Sequence, residues 1–163
     1  MFDYSFNHLD FFQKYKSGDG LSLWIFHVDK IPPHVGISQD GIFYSLKSNG
    51  KDFLLEEHVI QLIKNKSIKS VILNLKFNSN KALIQDVFNQ YERAFSAEVS
   101  CLTPVKKILN LQNDIPKLSS LLSELENRNM IKGYSTFNVT KSECGILNYE
   151  VADIDQRLKF LHA

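Results

Sequence analysis

Two residues in this chain carry the parts of a thiol nucleophile system. Cys101 stands in Ser100-Cys101-Leu102 at the head of an apolar helical pattern, and His34 opens the run His34-Val35-Gly36-Ile37. A thiol attacks a carbonyl carbon as its thiolate, and an imidazole within reach can take the proton. A helix start adds unpaired N–H groups and the positive end of the helix dipole, both of which favour the anion. The pattern therefore predicts a lowered pKa for Cys101, with His34 as general base. The backbone N–H of Cys101 is also expected to help hold an oxyanion. The run after the next turn carries two further hydroxyl groups, Tyr44 and Ser45. Adjacent strand residues point to opposite faces, so only one of these two can face His34, and the hairpin register decides which.

The remaining reactive side chains have plainer readings. Cys144 sits in Ser142-Glu143-Cys144-Gly145, a turn pattern with nothing beside it to activate a thiol. A free cysteine is most often a small buried hydrophobe, which is the competing reading for Cys101 as well. The histidines at positions 8, 27, 34, 58 and 162 have no zinc-ligand spacing, and two cysteines are too few for a cysteine zinc site. No metal and no organic cofactor is expected. With 19 basic and 18 acidic residues the formal net charge is +1, and no basic field points to nucleic acid. No basic segment followed by an apolar core opens the chain, and no apolar stretch reaches membrane-spanning length. A cytoplasmic location is the default expectation.

These residues must be positioned by a scaffold, and the hydrophobic pattern predicts its elements. Strands are expected over Leu21 to Val28, His34 to Ser38, Ile42 to Lys47 and Val71 to Phe77. Gln39-Asp40-Gly41 is a tight hairpin signal, so the second and third of these strands should pair. Asp29 to Pro33 is short, so the first should pair with the second. Helical stripes run over Leu54 to Lys64, Lys81 to Phe95, Leu102 to Leu111, Ile115 to Met130 and Ile154 to Leu161. Phe6 to Tyr15 suggests a short helix, Ser17 to Gly20 a turn, and Tyr134 to Thr140 and Ile146 to Val151 two more strands. Asn78-Ser79-Asn80 can cap the helix after it. The 163 residues read as one α+β domain, an antiparallel sheet packed against helices.

The order of these parts resembles the papain-like cysteine peptidases and amidases of the NlpC type in their circularly permuted arrangement. That group includes the YiiX-like amidases and, more distantly, the lecithin retinol acyltransferases. The resemblance rests on Gly18-Asp19 before an apolar strand, on His34 to Ile37, on Asp40-Gly41 and on Ser100-Cys101-Leu102, in that order. It covers residues 17–112 as a papain-like core and leaves 113–163 as a C-terminal extension or cap. It implies a papain-like fold and a cysteine hydrolase or acyl transferase acting on an amide, ester or thioester. The substrate would be peptide-like or an acyl compound, with Cys101 as nucleophile, His34 as base and Ser45 or Tyr44 as orienting group. Two departures are visible. Tyr44 and Ser45 stand where relatives often carry His, Glu, Asn or Gln, and Leu102-Thr103-Pro104 replaces a Ser-Glu pair after the cysteine. A catalytically inactive binding module with the same fold is the alternative that these departures imply.

Overall fold

Leu21-Ser22-Leu23-Trp24-Ile25-Phe26 is buried at every position, which is how a strand reads when neighbours flank both edges and helices cover both faces. The computed structural model describes residues 2–7, 9, 15, 20–77, 79–111 and 114–162. In chain order its strands are β1 (Phe2–Ser5), β2 (Leu21–Phe26), β3 (His34–Gln39), β4 (Ile42–Lys47), β5 (Gly50–Leu55), β6 (Ser70–Leu75), β7 (Ile131–Phe137) and β8 (Gly145–Leu147). Its helices are α1 (Glu56–Asn65), α2 (Lys81–Phe88), α3 (Leu102–Ile108), α4 (Leu118–Asn127) and α5 (Val151–His162). Six strands form one antiparallel sheet in the order β5-β4-β3-β2-β6-β7, and β1 pairs with β8 in a separate ribbon.

The local chemistry explains the pairing. Asp40 and Gly41 both take positive φ, 49° and 88°, the two-residue turn whose twist matches the flanking strands. That turn sets Gln39 opposite Ile42 and Ser38 opposite Phe43. Ser48-Asn49 makes the next reversal, with Lys47 opposite Gly50. The strands expected to share one sheet do so, and the β2–β3 and β3–β4 pairs follow the lengths of their connections.

Alternation along β2, β3 and β4 divides the interior into two layers. Leu21, Leu23, Ile25, Val35, Ile37, Tyr44 and Leu46 join a large core under α2, α3 and α4. Trp24, Phe26 and Phe43 face the other way and pack with Val59 and Ile63 of α1. Trp24 is fully buried. Its indole N–H donates to Ser38 Oγ at 2.8 Å, so the one polar atom of the ring has a partner. Gly36 makes room on this face. A Cβ there would lie 2.4 Å from the Phe43 ring and 2.9 Å from the Tyr44 carbonyl oxygen.

The structure differs from the expected elements at several ends. Residues 50–55 pair with β4, so the helix expected from Leu54 starts at Glu56. The helix expected to reach Phe95 stops at Phe88, and Ala94 N–H instead donates to the Lys47 carbonyl at 2.8 Å. The helix expected to reach Leu111 ends at Ile108, where Asn110 turns the chain with φ 56°. Asn80 does cap α2, its Oδ1 accepting from Leu83 N–H at 2.8 Å. Ile131–Phe137 is an edge strand of the main sheet, paired with β6. Most of the expected helix over Phe6 to Tyr15, and the Ser17-Gly18-Asp19 part of the expected turn, lie outside the described residues.

Candidate functional site

His34 is the first residue of β3 and follows Pro32-Pro33, whose fixed φ brings the chain into the strand extended. It sits opposite Phe26, and its ring stacks on the Phe26 ring with centroids 5.8 Å apart. Strand parity puts His34 with Gly36 and Ser38 on the Trp24 side. The β3–β4 ladder pairs Ser38 with Phe43, so Phe43 and Ser45 share that side while Tyr44 does not. Tyr44 stacks on Phe88 of α2 in the other layer, with centroids 5.7 Å apart. The register thus separates the two candidates for the orienting group: Ser45 stands on the face of His34, and Tyr44 is a core aromatic.

A residue outside the sequence reading joins them. Asp52 of β5 lies directly opposite Ser45. Ser45 Oγ donates to Asp52 Oδ2 at 3.3 Å, and Lys47 Nζ is 3.0 Å from Asp52 Oδ1. The signal was present in the sequence. The turn at Ser48-Asn49-Gly50 is followed by Lys51 to Leu55, enough chain for a return strand, and the apolar Leu54 and Leu55 drew this segment into the helical stripe instead.

Cys101 immediately precedes α3 and packs against the larger core. Ser100 organises this corner. Its Oγ accepts from Leu102 N–H at 3.2 Å, and its own N–H donates to Thr103 Oγ1 at 2.9 Å. The backbone N–H groups of Val35 and of Cys101 itself are directed at the sulfur and favour a thiolate. Burial acts against them and is the larger effect, so the thiol is pushed up to about 11. The lowered pKa expected from the helix start is therefore not what the structure gives. A helix of seven residues offers little dipole, and enclosure outweighs it. Cys144 is also raised by burial, and it lies deeper, with 4% of its surface exposed.

Burial governs His34 too. Enclosure lowers it to about 4, Asp52 pulls it up, and Lys47 and His27 push it down. Near neutral pH both partners are therefore uncharged in the resting protein. The hydrogen bonds among the described residues include none between Cys101 Sγ and the His34 ring.

One cavity of about 860 Å³ has both groups in its wall. It wraps around the end of the sheet. Phe26, Phe43, Leu54 and Val59 line it on the α1 side, and Leu46, Ala94, Ile154 and Leu158 on the other. Ser45, Asp52 and Lys47 border it between these walls, and Arg157 of α5 stands at its edge. A second, small space of about 30 Å³ separates Cys101 from Tyr149 and Leu118. Tyr149 is raised to about 12 by burial, and its hydroxyl accepts from Leu118 N–H at 3.0 Å.

Among the described residues, no group of three or more His, Cys, Asp and Glu side chains is placed to hold a metal ion, and no helix is long and apolar enough to cross a membrane. Comparison of the chain with family models, with curated proteins and with solved structures finds no match.

Proposed function

We propose that this chain is a papain-like cysteine hydrolase or acyl transferase, with Cys101 as nucleophile and His34 as base, acting on an amide, ester or thioester. The observation that supports this reading is the shared cavity: residues 67 positions apart in sequence (101 − 34) border one space large enough for a substrate. In the reaction, Cys101 Sγ bonds to the carbonyl carbon while its proton passes to His34. The imidazolium then returns that proton to the leaving nitrogen, oxygen or sulfur as its bond to carbon breaks, leaving a thioester on Cys101. Water ends the cycle in a hydrolase, and a second nucleophile ends it in an acyl transferase. The Val35 and Cys101 N–H groups aimed at the sulfur support the thiolate character that develops on the way.

The same geometry carries a second reading, a binding module that does no chemistry. It is favoured by the gap between a thiol near 11 and an imidazole near 4. Transferring the proton across about 7 pH units costs on the order of 10 kcal/mol in the resting protein. On the enzyme reading the proton leaves Sγ as the carbon–sulfur bond forms, so the free ion pair is not an intermediate. Incubation with p-nitrophenyl esters separates the two readings. An enzyme releases p-nitrophenolate and carries the acyl mass on Cys101, and both signals vanish in Cys101→Ala and fall in His34→Ala. An unmodified Cys101 with background ester hydrolysis refutes the enzyme and leaves the binding module.

A further inference from the structure

We propose that Asp52 is the positioning residue of His34, acting through the hydroxyl of Ser45. The inference rests on the acyl-transfer reading of this site. Three observations carry it. First, the sheet register places His34, Ser45 and Asp52 on one face of three successive strands, with Asp52 directly opposite Ser45. Second, the Ser45 hydroxyl is spent in a defined direction. It is 1% exposed, and it donates to Asp52 Oδ2 at 3.3 Å. A hydroxyl that donates its proton keeps its lone pairs, so Ser45 Oγ is an acceptor for an imidazole N–H. Third, the β3–β4 ladder ends at the pair Ile37 and Tyr44, and the cavity opens beyond it with His34, Ser45 and Asp52 in its wall. The ring therefore has room to turn toward the hydroxyl.

The resulting relay runs from His34 N–H to Ser45 Oγ and from Ser45 O–H to the Asp52 carboxylate. Serine alone is a weak orienter because a free hydroxyl rotates. Bonded to a carboxylate it presents lone pairs in a fixed direction. Lys47 holds the other carboxylate oxygen at 3.0 Å, which fixes Asp52 in turn. With one ring nitrogen protonated and engaged, the other is left unprotonated as the base, and the carboxylate attracts the imidazolium that forms. The charges acting on His34 are Asp52, which attracts its proton, and Lys47 and His27, which repel it. Asp29, Lys30 and Arg157 border the same cavity.

The test is nitrogen-15 NMR of the His34 ring in the full chain, with His34→Gln assigning the signal. It is run on wild type, Asp52→Asn, Asp52→Glu, Ser45→Ala and Lys47→Met. In the wild type one tautomer is expected near neutral pH. Asp52→Asn should mix the tautomers and lower the His34 pKa further, Ser45→Ala should mix them with a smaller pKa change, and Asp52→Glu should restore the single tautomer. Lys47→Met should raise the pKa. Lys47→Met and Asp52→Asn both break the ion pair, so a merely structural carboxylate would shift His34 the same way in both. That result, or an unchanged tautomer in Asp52→Asn and Ser45→Ala, overturns the proposal. Acylation by p-nitrophenyl acetate is measured alongside, and a fall of at least tenfold is expected in Asp52→Asn. Acylation that survives Cys101→Ala, or is missing from the wild type, removes the acyl-transfer reading, whereas the ring signals still decide whether Asp52 positions His34.

Discussion

The enclosed Cys101 thiol has a kinetic consequence that can be worked out in advance. With its pKa near 11, about one part in 10⁴ is thiolate at pH 7. An ordinary cysteine thiol near 8.5 is about 3% thiolate at that pH, roughly 300-fold more. Part of this deficit is returned, because a more basic thiolate is the better nucleophile. With a Brønsted slope of about 0.4–0.5 over about 2.5 pH units, that gain is roughly tenfold to twentyfold. Cys101 in the native protein should therefore exchange with a small aromatic disulfide roughly 15- to 30-fold more slowly than free cysteine at pH 7. Its rate should climb about tenfold per pH unit without a plateau below about pH 10. Cys144 is raised and more deeply buried, so it should be slower still. Stopped-flow absorbance with dithiodipyridine, followed by peptide mapping, measures all of this. A Cys101 rate at or above that of free cysteine, with a plateau below about pH 8, would refute the reasoning. It would mean that a thiolate–imidazolium pair exists in the resting protein and that burial does not govern this site.

Other consequences follow from the same packing. Ser38→Ala removes the acceptor of the buried Trp24 N–H and should cost about 1–3 kcal/mol in urea unfolding; an unchanged midpoint would mean that the indole finds another partner. Gly36→Ala drives a methyl into the Phe43 ring and the Tyr44 carbonyl, and a loss of about 1–3 kcal/mol is expected by the same measurement. Because folding lowers the His34 pKa to about 4, the unfolded chain takes up a proton that the folded one refuses. Stability from this group is thus complete above about pH 6.5 and lost as pH falls toward 4, by at most about 3–4 kcal/mol. A stability–pH curve of His34→Gln lacking that slope confirms the source, and an identical slope assigns it elsewhere.

The parts legible in the sequence were those specified by neighbouring residues. Asp40-Gly41 announces its turn because few residues accept positive φ at two successive positions, and strands as strongly apolar as Leu21–Phe26 have one reading. The strand β5 was not legible as such, since Leu54 and Leu55 continue smoothly into the stripe of α1 and only pairing with β4 draws them into the sheet. The choice between Tyr44 and Ser45 depended on register, a relation between distant backbones that no local pattern encodes. The pKa of Cys101 failed for a related reason. Local sequence shows a helix start but not the burial around the sulfur, and burial is the larger effect.

The layers of the sheet bear on what a substrate must do. His34 belongs by parity to the layer of Trp24 and Phe43, and Cys101 packs against the layer of α3 and α4. A cavity that only served one layer would expose one group and not the other. This one runs around the sheet end and takes its wall from both. On the acyl-transfer reading, an acyl compound seated there lies across the strand ends, with its carbonyl at the seam where the two layers meet. Filling the seam would exclude water from both groups, which disfavours charge on each of them. The same event would strengthen the attraction between Asp52 and an imidazolium, because charges interact more strongly once solvent is excluded. The Asp52 carboxylate is then the group that offsets desolvation of His34, while Cys101 has the Val35 and Cys101 N–H groups to offset its own.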